Sequence, residues 1–385
     1  MRGLKSDRNH MSNKGATLIT CRDPEIPSPL RRLRTGMFQI GARWHRVVTA
    51  GLFRMGCCTW ALWLVAGVTS AHARVCPEPT LQEVLPGIAV AHGLWASTGS
   101  GRAPHAVTTV VLVQDQQVTV VDPGPSRQAG EALKQSIRCR LQSQVAGLIN
   151  THAHAEQVLA NSAFRVPVWA TLGTAASMQA RCPDCLAAMT EDLGSAALKG
   201  THIVLPDRVL QEGQSLVMAG RQWEVRVMRQ AHTESDLVLW AAAEGIALVG
   251  GLVDGDRLPV LAQGRVLGWL HALDEIQTWQ PQWLIGQHLV SGPGHARVSL
   301  QRQRSYLCDL VRTAWQGMNA GLSEAEALQS LKLSPVWSAG EMSQQEARRQ
   351  QHQFNQLRAW REIEPLWMAR QPWPAQCGSA PDIGR

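Results

Sequence analysis

The stretch Thr151-His152-Ala153-His154-Ala155-Glu156-Gln157 sets two imidazoles two residues apart, with a carboxylate two residues further on. In an extended segment alternate side chains point to the same side. His152, His154 and Glu156 are therefore expected to converge just past the apolar run Val145–Ile149. Neutral imidazoles in that arrangement suit zinc or a similar borderline metal. One His-x-His pair is an incomplete ligand set, and the chain offers two more histidines in the same kind of place. His232 follows the apolar run ending at Met228, and His288 follows Leu284-Ile285-Gly286. Each of the four histidines lies two to five residues beyond a short apolar run. Loops at strand ends, held by a rigid sheet, are where a scaffold builds a metal site.

The elements that must position these loops follow from pattern. Leu81 to His92 is predicted as a strand, and Val107–Gln114 with Val118–Val121 as a hairpin that stops at Asp122-Pro123-Gly124-Pro125. Ser126 is placed to cap a helix running to Arg140, with Ala129, Leu133 and Ile137 on one face. A short helix is predicted over Glu156–Ala163 and a strand over Val166–Ala170. Two helices, Thr174–Ala180 and Ala187–Lys199, flank Cys182-Pro183-Asp184-Cys185. Strands are expected at Val209–Gly220, Gln222–Met228, Leu237–Ala241, Ile246–Gly250 and Pro281–Gly286, with an amphipathic helix over Leu267–Trp279. From about Leu300 the chain turns helical, over Gln301–Met318, Ser323–Leu331 and Gln344–Trp367, and Ser323 with Glu326 spells a capping box.

The formal charge of +7 on 385 residues hints at nucleic acid. Residues 1–73, however, hold 11 Lys+Arg and 3 Asp+Glu, leaving 26 against 27 in the remainder. The basic excess belongs to the leader, and no basic footprint remains to argue for nucleic acid. Within that leader, Arg43, His45, Arg46 and Arg54 precede the apolar run Met55–Val68 and the small-x-small triplet Ala71-His72-Ala73. This is the form of a secretory signal cleaved near Ala73, and the apolar run is shorter than the roughly 20 residues of a spanning helix. Six cysteines remain after it: Cys76, Cys139, Cys182, Cys185, Cys308 and Cys377. An even number in an exported chain suggests disulfides, with connectivity left open. Cys182 and Cys185 are expected to form a structural disulfide in a substrate loop.

The residues resemble the metallo-β-lactamase superfamily, which carries Thr-His-x-His-x-Asp-His after a strand, then a histidine, a Gly-Asp and a last histidine. Thr151 to Gln157, His232, Gly250-Gly251 and His288 stand at those positions, and Asp122-Pro123-Gly124 at an early Asp-x-Gly turn. The likeness covers roughly Leu81 to Gly294. Arg257-Leu258-Pro259-Val260-Leu261, Gly268-Trp269-Leu270 and the tail with Phe354 and Trp360 look like an exported branch. That branch is the quinoprotein relay system zinc metallohydrolases, found beside pyrroloquinoline-quinone-dependent dehydrogenases.

The resemblance implies an α/β four-layer αββα sandwich over 74–299, after a leader at 1–73 and before a helical extension at 300–385. It implies a first metal site of His152, His154 and His232. Three imidazoles leave a position for water, whose pKa a bound zinc lowers from 15.7 to roughly 7. The second site departs from the family. Glu156 replaces Asp, Gln157 replaces His, Gly251 replaces the bridging Asp, and His288 remains. One zinc ion is therefore expected, with Glu156 as general base and His288 bonding substrate, unless Asp254 or Asp256 replaces the bridge. The function implied is a periplasmic hydrolase whose zinc-bound hydroxide attacks an ester, thioester or lactone as its small-molecule substrate. A quinoprotein dehydrogenase system is the expected partner. The alternative is a non-catalytic binding protein of the same fold, serving those dehydrogenases.

Overall fold

In the computed structural model the residues described are 76–94, 107–255, 257–330 and 342–379. The expected leader with its cleavage site, and Asp256, lie outside them. Thirteen strands form two sheets. The first contains β1 (Gln82–Leu85), β2 (Ile88–Leu94), β3 (Val107–Gln114), β4 (Gln117–Val121), β5 (Gln144–Ile149), β6 (Val168–Ala170) and β7 (Arg208–Val209), adjacent in that order. Pairing is antiparallel from β1 to β4 and parallel from β4 to β7. The second sheet contains β8 (Ser215–Met218), β9 (Arg221–Arg229), β10 (Ser235–Ala241), β11 (Ile246–Gly250), β12 (Trp283–Gly286) and β13 (Leu289–Ser291). It too runs in chain order, and only β11–β12 is parallel.

The strands read as unbroken apolar runs because both faces of each sheet are covered. Ile88, Val90, Val110, Leu112 and Ile149 meet Trp223, Val225, Leu237, Leu239, Leu248 and Ile285 between the sheets. Their alternate neighbours Ala89, Val111, Val118 and Leu148 pack outward on Leu133 and Ile137 of α1 (Arg127–Leu141). On the far side Val238, Trp240, Ala247 and Val249 pack on Trp269, Leu270 and Leu273 of α4 (Val266–Thr278). The period of two thus sorts each strand into an inner and an outer face, and the layers stack as αββα.

Several expected elements shift. The strand expected over Leu81–His92 is a hairpin, because Gly87 adopts a φ of +76° and turns the chain between β1 and β2. The two helices expected around the cysteine motif are one, α3 (Leu172–Leu193), with Pro183 inside it. Cys182 and Cys185 therefore sit one turn apart on a helix, buried in two different apolar clusters. They are part of a helix core and not the substrate-loop disulfide expected. The disulfides join Cys76 to Cys139 and Cys308 to Cys377, with Cα separations of 5.6 and 5.2 Å. Of the strand expected over Val209–Gly220, only the ends are strand, in β7 and β8.

Among the described residues, the C-terminal part contains the helices α5 (Ala296–Asn319), α6 (Glu324–Ser330) and α7 (Met342–Met368). The capping box forms, with the Ser323 N–H donating to Glu326 Oε2 at 2.8 Å. Helix α5 begins at Ala296, slightly before the expected change at Leu300, and shares one core with α4 and α7. Glu362 of α7 accepts from the N–H groups of Val266 and Leu267 at 2.8 and 3.1 Å, capping α4 from outside it. Asn355 likewise accepts from the Leu261 N–H and donates to the Pro259 carbonyl. No helix among the described residues is long and apolar enough to cross a membrane.

A buried polar chain joins α5 to α7. Asn355 Nδ2–H donates to the Tyr306 oxygen at 3.0 Å, and Tyr306 lies 3.0 Å from His352 Nδ1. Gln356 Nε2–H donates to His352 Nε2 at 2.8 Å, so the His352 proton sits on Nδ1 and is donated to the Tyr306 oxygen. Burial pushes the His352 pKa down from 6.5 to about 4. The unfolded chain then binds the proton more tightly, so this histidine's contribution is complete above about pH 6.5 and disappears as pH falls through about 4. His352→Gln is expected to flatten stability between those values, by at most about 3 kcal/mol of pH-dependent loss. Urea denaturation of both proteins at pH 4 to 7 measures this, and parallel pH profiles would refute it.

Candidate metal centre

The candidate site forms where the strand ends of the two sheets face one another. Strand β5 delivers Asn150 and Thr151 into its loop. Asn150 and Asn161 exchange side-chain hydrogen bonds at 2.8 and 3.2 Å, which fixes the base of that loop. His154 stands at the N-cap of α2 (Ala155–Val158), so the chain turns helical as soon as both histidines are placed. On the other sheet, Gln230 adopts a φ of +50° and starts the turn that carries His232. Asp236 closes that turn, accepting from the Thr233 N–H and hydroxyl at 2.8 and 2.9 Å. The sheets are stitched at this end, with the Leu237 N–H donating to the Thr151 carbonyl at 2.8 Å.

His152, His154 and His232 converge, and one donor atom from each lies within 4.8 Å of the others. Their rings meet edge to face, with centroids 4.6 to 4.9 Å apart. His152 and His232 are buried, and His154 is partly open. Burial, followed by mutual proximity, pushes the pKa of both His152 and His232 well below 6.5, so they are neutral at neutral pH.

A hydrogen-bond relay sets the tautomer of His152. Asp122 accepts from the Thr151 N–H at 2.8 Å and from the Thr151 hydroxyl at 2.6 Å. Since the hydroxyl proton is committed to Asp122, Thr151 Oγ1 accepts from His152 Nδ1–H, 2.8 Å away. Nε2 of His152 therefore carries a bare lone pair, and it is buried without a hydrogen-bond partner. Asp122 is both a turn residue, at φ +54°, and the anchor of a candidate ligand. Burial raises the carboxyls of Asp122, Asp236 and Asp254 to about 7 against their hydrogen bonds.

A bare buried lone pair, oriented through Thr151 by the buried Asp122, fits a cation bound by the three histidines. Asp122→Asn keeps the shape but supplies an amide N–H where an acceptor is needed. Metal affinity is expected to fall about 10- to 100-fold, read by zinc competition against a chelating dye. Unchanged affinity would remove Asp122 from the site.

Of the other expected residues, Glu156 lies at the edge, with Oε1 3.5 Å from His154 Nδ1 and its side chain 25% exposed. His288 is partly buried and outside the trio, with Nε2 3.4 Å from Arg257 Nη1. Burial, with the Arg257 charge second, pushes its pKa down to about 3. Asp254 does not join the trio and instead accepts from Gln287 Nε2 at 3.1 Å.

Gly251 is closed to side chains, since a Cβ there would lie 2.4 Å from two atoms of the His232 ring. Sequence reasoning passed over Thr151, Trp269, Gln287 and Gln303. Trp269 sets its ring 4.9 Å from that of His232 and donates Nε1–H to the Leu252 carbonyl at 2.9 Å. Gln303 of α5 also donates to that carbonyl and accepts from the Asp254 N–H. Only the adjacency of Thr151 and Gln287 to histidines marks them in the sequence.

A sequence profile of the metallo-beta-lactamase superfamily matches residues 102–300. No curated protein matches the chain. Among solved structures, a beta-lactamase domain protein from Burkholderia ambifaria is 20% identical, with a TM-score of 0.52 over 77% of this chain and 91% of its own. A metallo-beta-lactamase family protein from Thermus thermophilus is 15% identical, with a TM-score of 0.54 over 76% and 98%. The inverting sec-alkylsulfatase Pisa1 from Pseudomonas sp. is 15% identical, with a TM-score of 0.54 over 73% of this chain and 49% of its own. At these identities the structural likenesses speak for the fold, and the profile spans more than half of the chain. The chain belongs to the metallo-beta-lactamase superfamily.

Proposed function

We propose that this protein is an exported hydrolase dependent on one zinc ion, acting on an ester, thioester or lactone. The bare, buried Nε2 of His152, in a trio with His154 and His232, carries the reading. Members of the superfamily are usually hydrolases and usually bind zinc. His152, His154 and His232 would hold such an ion, which would supply Lewis-acid polarisation of a carbonyl and a water nucleophilic at neutral pH. The chain's own residues do the rest. Asp122 and Thr151 hold His152 in the required tautomer. Glu156, at the open edge beside His154, is placed to take the proton of the attacking water. His288, neutral and partly exposed, is placed to hydrogen-bond the substrate.

Two disulfides support export, because such bonds persist in oxidising compartments. We place the protein in the periplasm, in the quinoprotein relay branch, with a quinoprotein dehydrogenase system as its partner. The histidine trio and its relay favour retained metal chemistry over a purely non-catalytic role. The test is metal analysis of the mature protein after mild purification, with hydrolysis of chromogenic esters, thioesters and lactones before and after chelation. About one equivalent of zinc and activity abolished by chelator and restored by zinc are expected. Less than about half an equivalent of any transition metal, with no hydrolysis, would refute the proposal.

A further inference from the structure

Three further donor-bearing side chains lie outside the trio: Glu156 beside His154, Asp254 in the field of Glu156, and His288 in the field of His154. A chain of amides ends on Asp254. Gln157 Nε2–H donates to Gln287 Oε1 at 2.8 Å, and Gln287 Nε2–H donates to Asp254 Oδ1 at 3.1 Å. Asp254 is fixed in turn by its N–H to Gln303 Oε1 at 2.9 Å. All four side chains are buried. Both ends of the Gln287 amide are committed, which removes its freedom to turn. Its backbone is pinned as well, by the Gln287 N–H to the Gly250 carbonyl and the Thr108 N–H to the Gln287 carbonyl. Across a small buried cavity Gln287 faces Asp122, Thr151 and Gly250, which places it next to the His152 loop. At Gly251 the His232 ring excludes any side chain that would add a ligand from that direction.

Resting on the metal reading above, we propose that the chain Gln157–Gln287–Asp254 restricts the centre to a single cation. The two amides hold one another and Asp254 by hydrogen bonds, which keeps Asp254 from turning toward a second ion, while Gln157 Oε1 is left buried without a hydrogen-bond partner. A second cation would have to break two buried hydrogen bonds and strand the polar groups they join. It would free one Asp254 carboxylate oxygen, but the other groups released are amides, which are poor ligands for zinc. The single-ion state is thus held by residues that are present, in addition to following from ligands that are missing. Gln287 is a positioning residue in this scheme.

Replacing one amide oxygen-nitrogen pair by a carboxylate tests this directly. Gln287→Glu puts a carboxylate between Asp254 and Gln157, within a donor set that also holds Glu156 and His288. Gln157→Glu does the same one link away and decides the matter if the first variant fails to fold. Gln287→Leu controls for packing. The full chain and each variant are dialysed against Zn(II) alone, bound metal is counted, folding is checked by circular dichroism, and melting is followed against zinc concentration. One equivalent is expected for the parent and for Gln287→Leu. Two equivalents, with a second saturable rise in Tm, are expected for a folded glutamate variant. Two equivalents in the parent, or one in the folded glutamate variants, would overturn the proposal. Zinc binding by none of the proteins would overturn the metal reading itself, and this inference with it.

Discussion

His152→Ala is expected to abolish metal binding, taking bound zinc from about one equivalent to nearly none and hydrolysis with it. The size follows from the relay. His152 presents a bare Nε2 because Asp122 and Thr151 hold its Nδ1–H, so this ring is prepared as a ligand before any ion arrives. The remaining pair, His154 and His232, has ring nitrogens 3.2 Å apart and no third donor in their group. Two imidazoles bind zinc far more weakly than three, and metal affinity at such a site is tied to how completely the ligands are preformed. Elemental analysis of the purified variant, with circular dichroism to show that it is folded, makes the measurement. A folded His152→Ala protein that retains a full equivalent would show that the ion binds elsewhere.

Trp269→Ala is expected to cost about 3–5 kcal/mol of stability and to weaken metal binding as well. The Trp269 side chain is fully buried, between the outer face of the second sheet and the helical tail. Its removal leaves a cavity in the cluster that α4, α5 and α7 share. It also deprives His232 of the ring against its edge and the Leu252 carbonyl of one of its two donors. Trp269→Phe retains a ring and loses only the indole N–H, at about 1 kcal/mol. Chemical denaturation and zinc competition on both variants separate packing from positioning. If alanine destabilises as expected while zinc affinity is unchanged, Trp269 supports the fold and not the site.

The sequence by itself determined the superfamily, the four histidines at strand ends and the alternation that sorts the strands between two sheets. Those features are local. A strand's period, a capping box at Ser323 and Glu326, and a His-x-His motif need only a few neighbouring residues to be recognised. Local signals also misled where tertiary packing overrides them. Cys182-Pro183-Asp184-Cys185 has turn-like composition, yet it lies inside α3 because both thiols have apolar clusters to enter. Pro86-Gly87 divides one apolar run into two strands because Ile88 and Val90 belong between the sheets.

The sequence also placed Glu156, Gln157 and Gly251 where the family carries other residues, and so pointed to a changed second site. What occupies that ground only the tertiary structure decided. Gln157, Asp254, Gln287 and Gln303 come from four separate elements, and a hydrogen bond between residues 130 positions apart leaves no trace in composition or periodicity. The tautomer of His152 was decided in the same way, by Asp122, 29 residues before Thr151. Ligand identity is a property of a motif, whereas ligand orientation depends on buried polar partners that only the folded chain brings together.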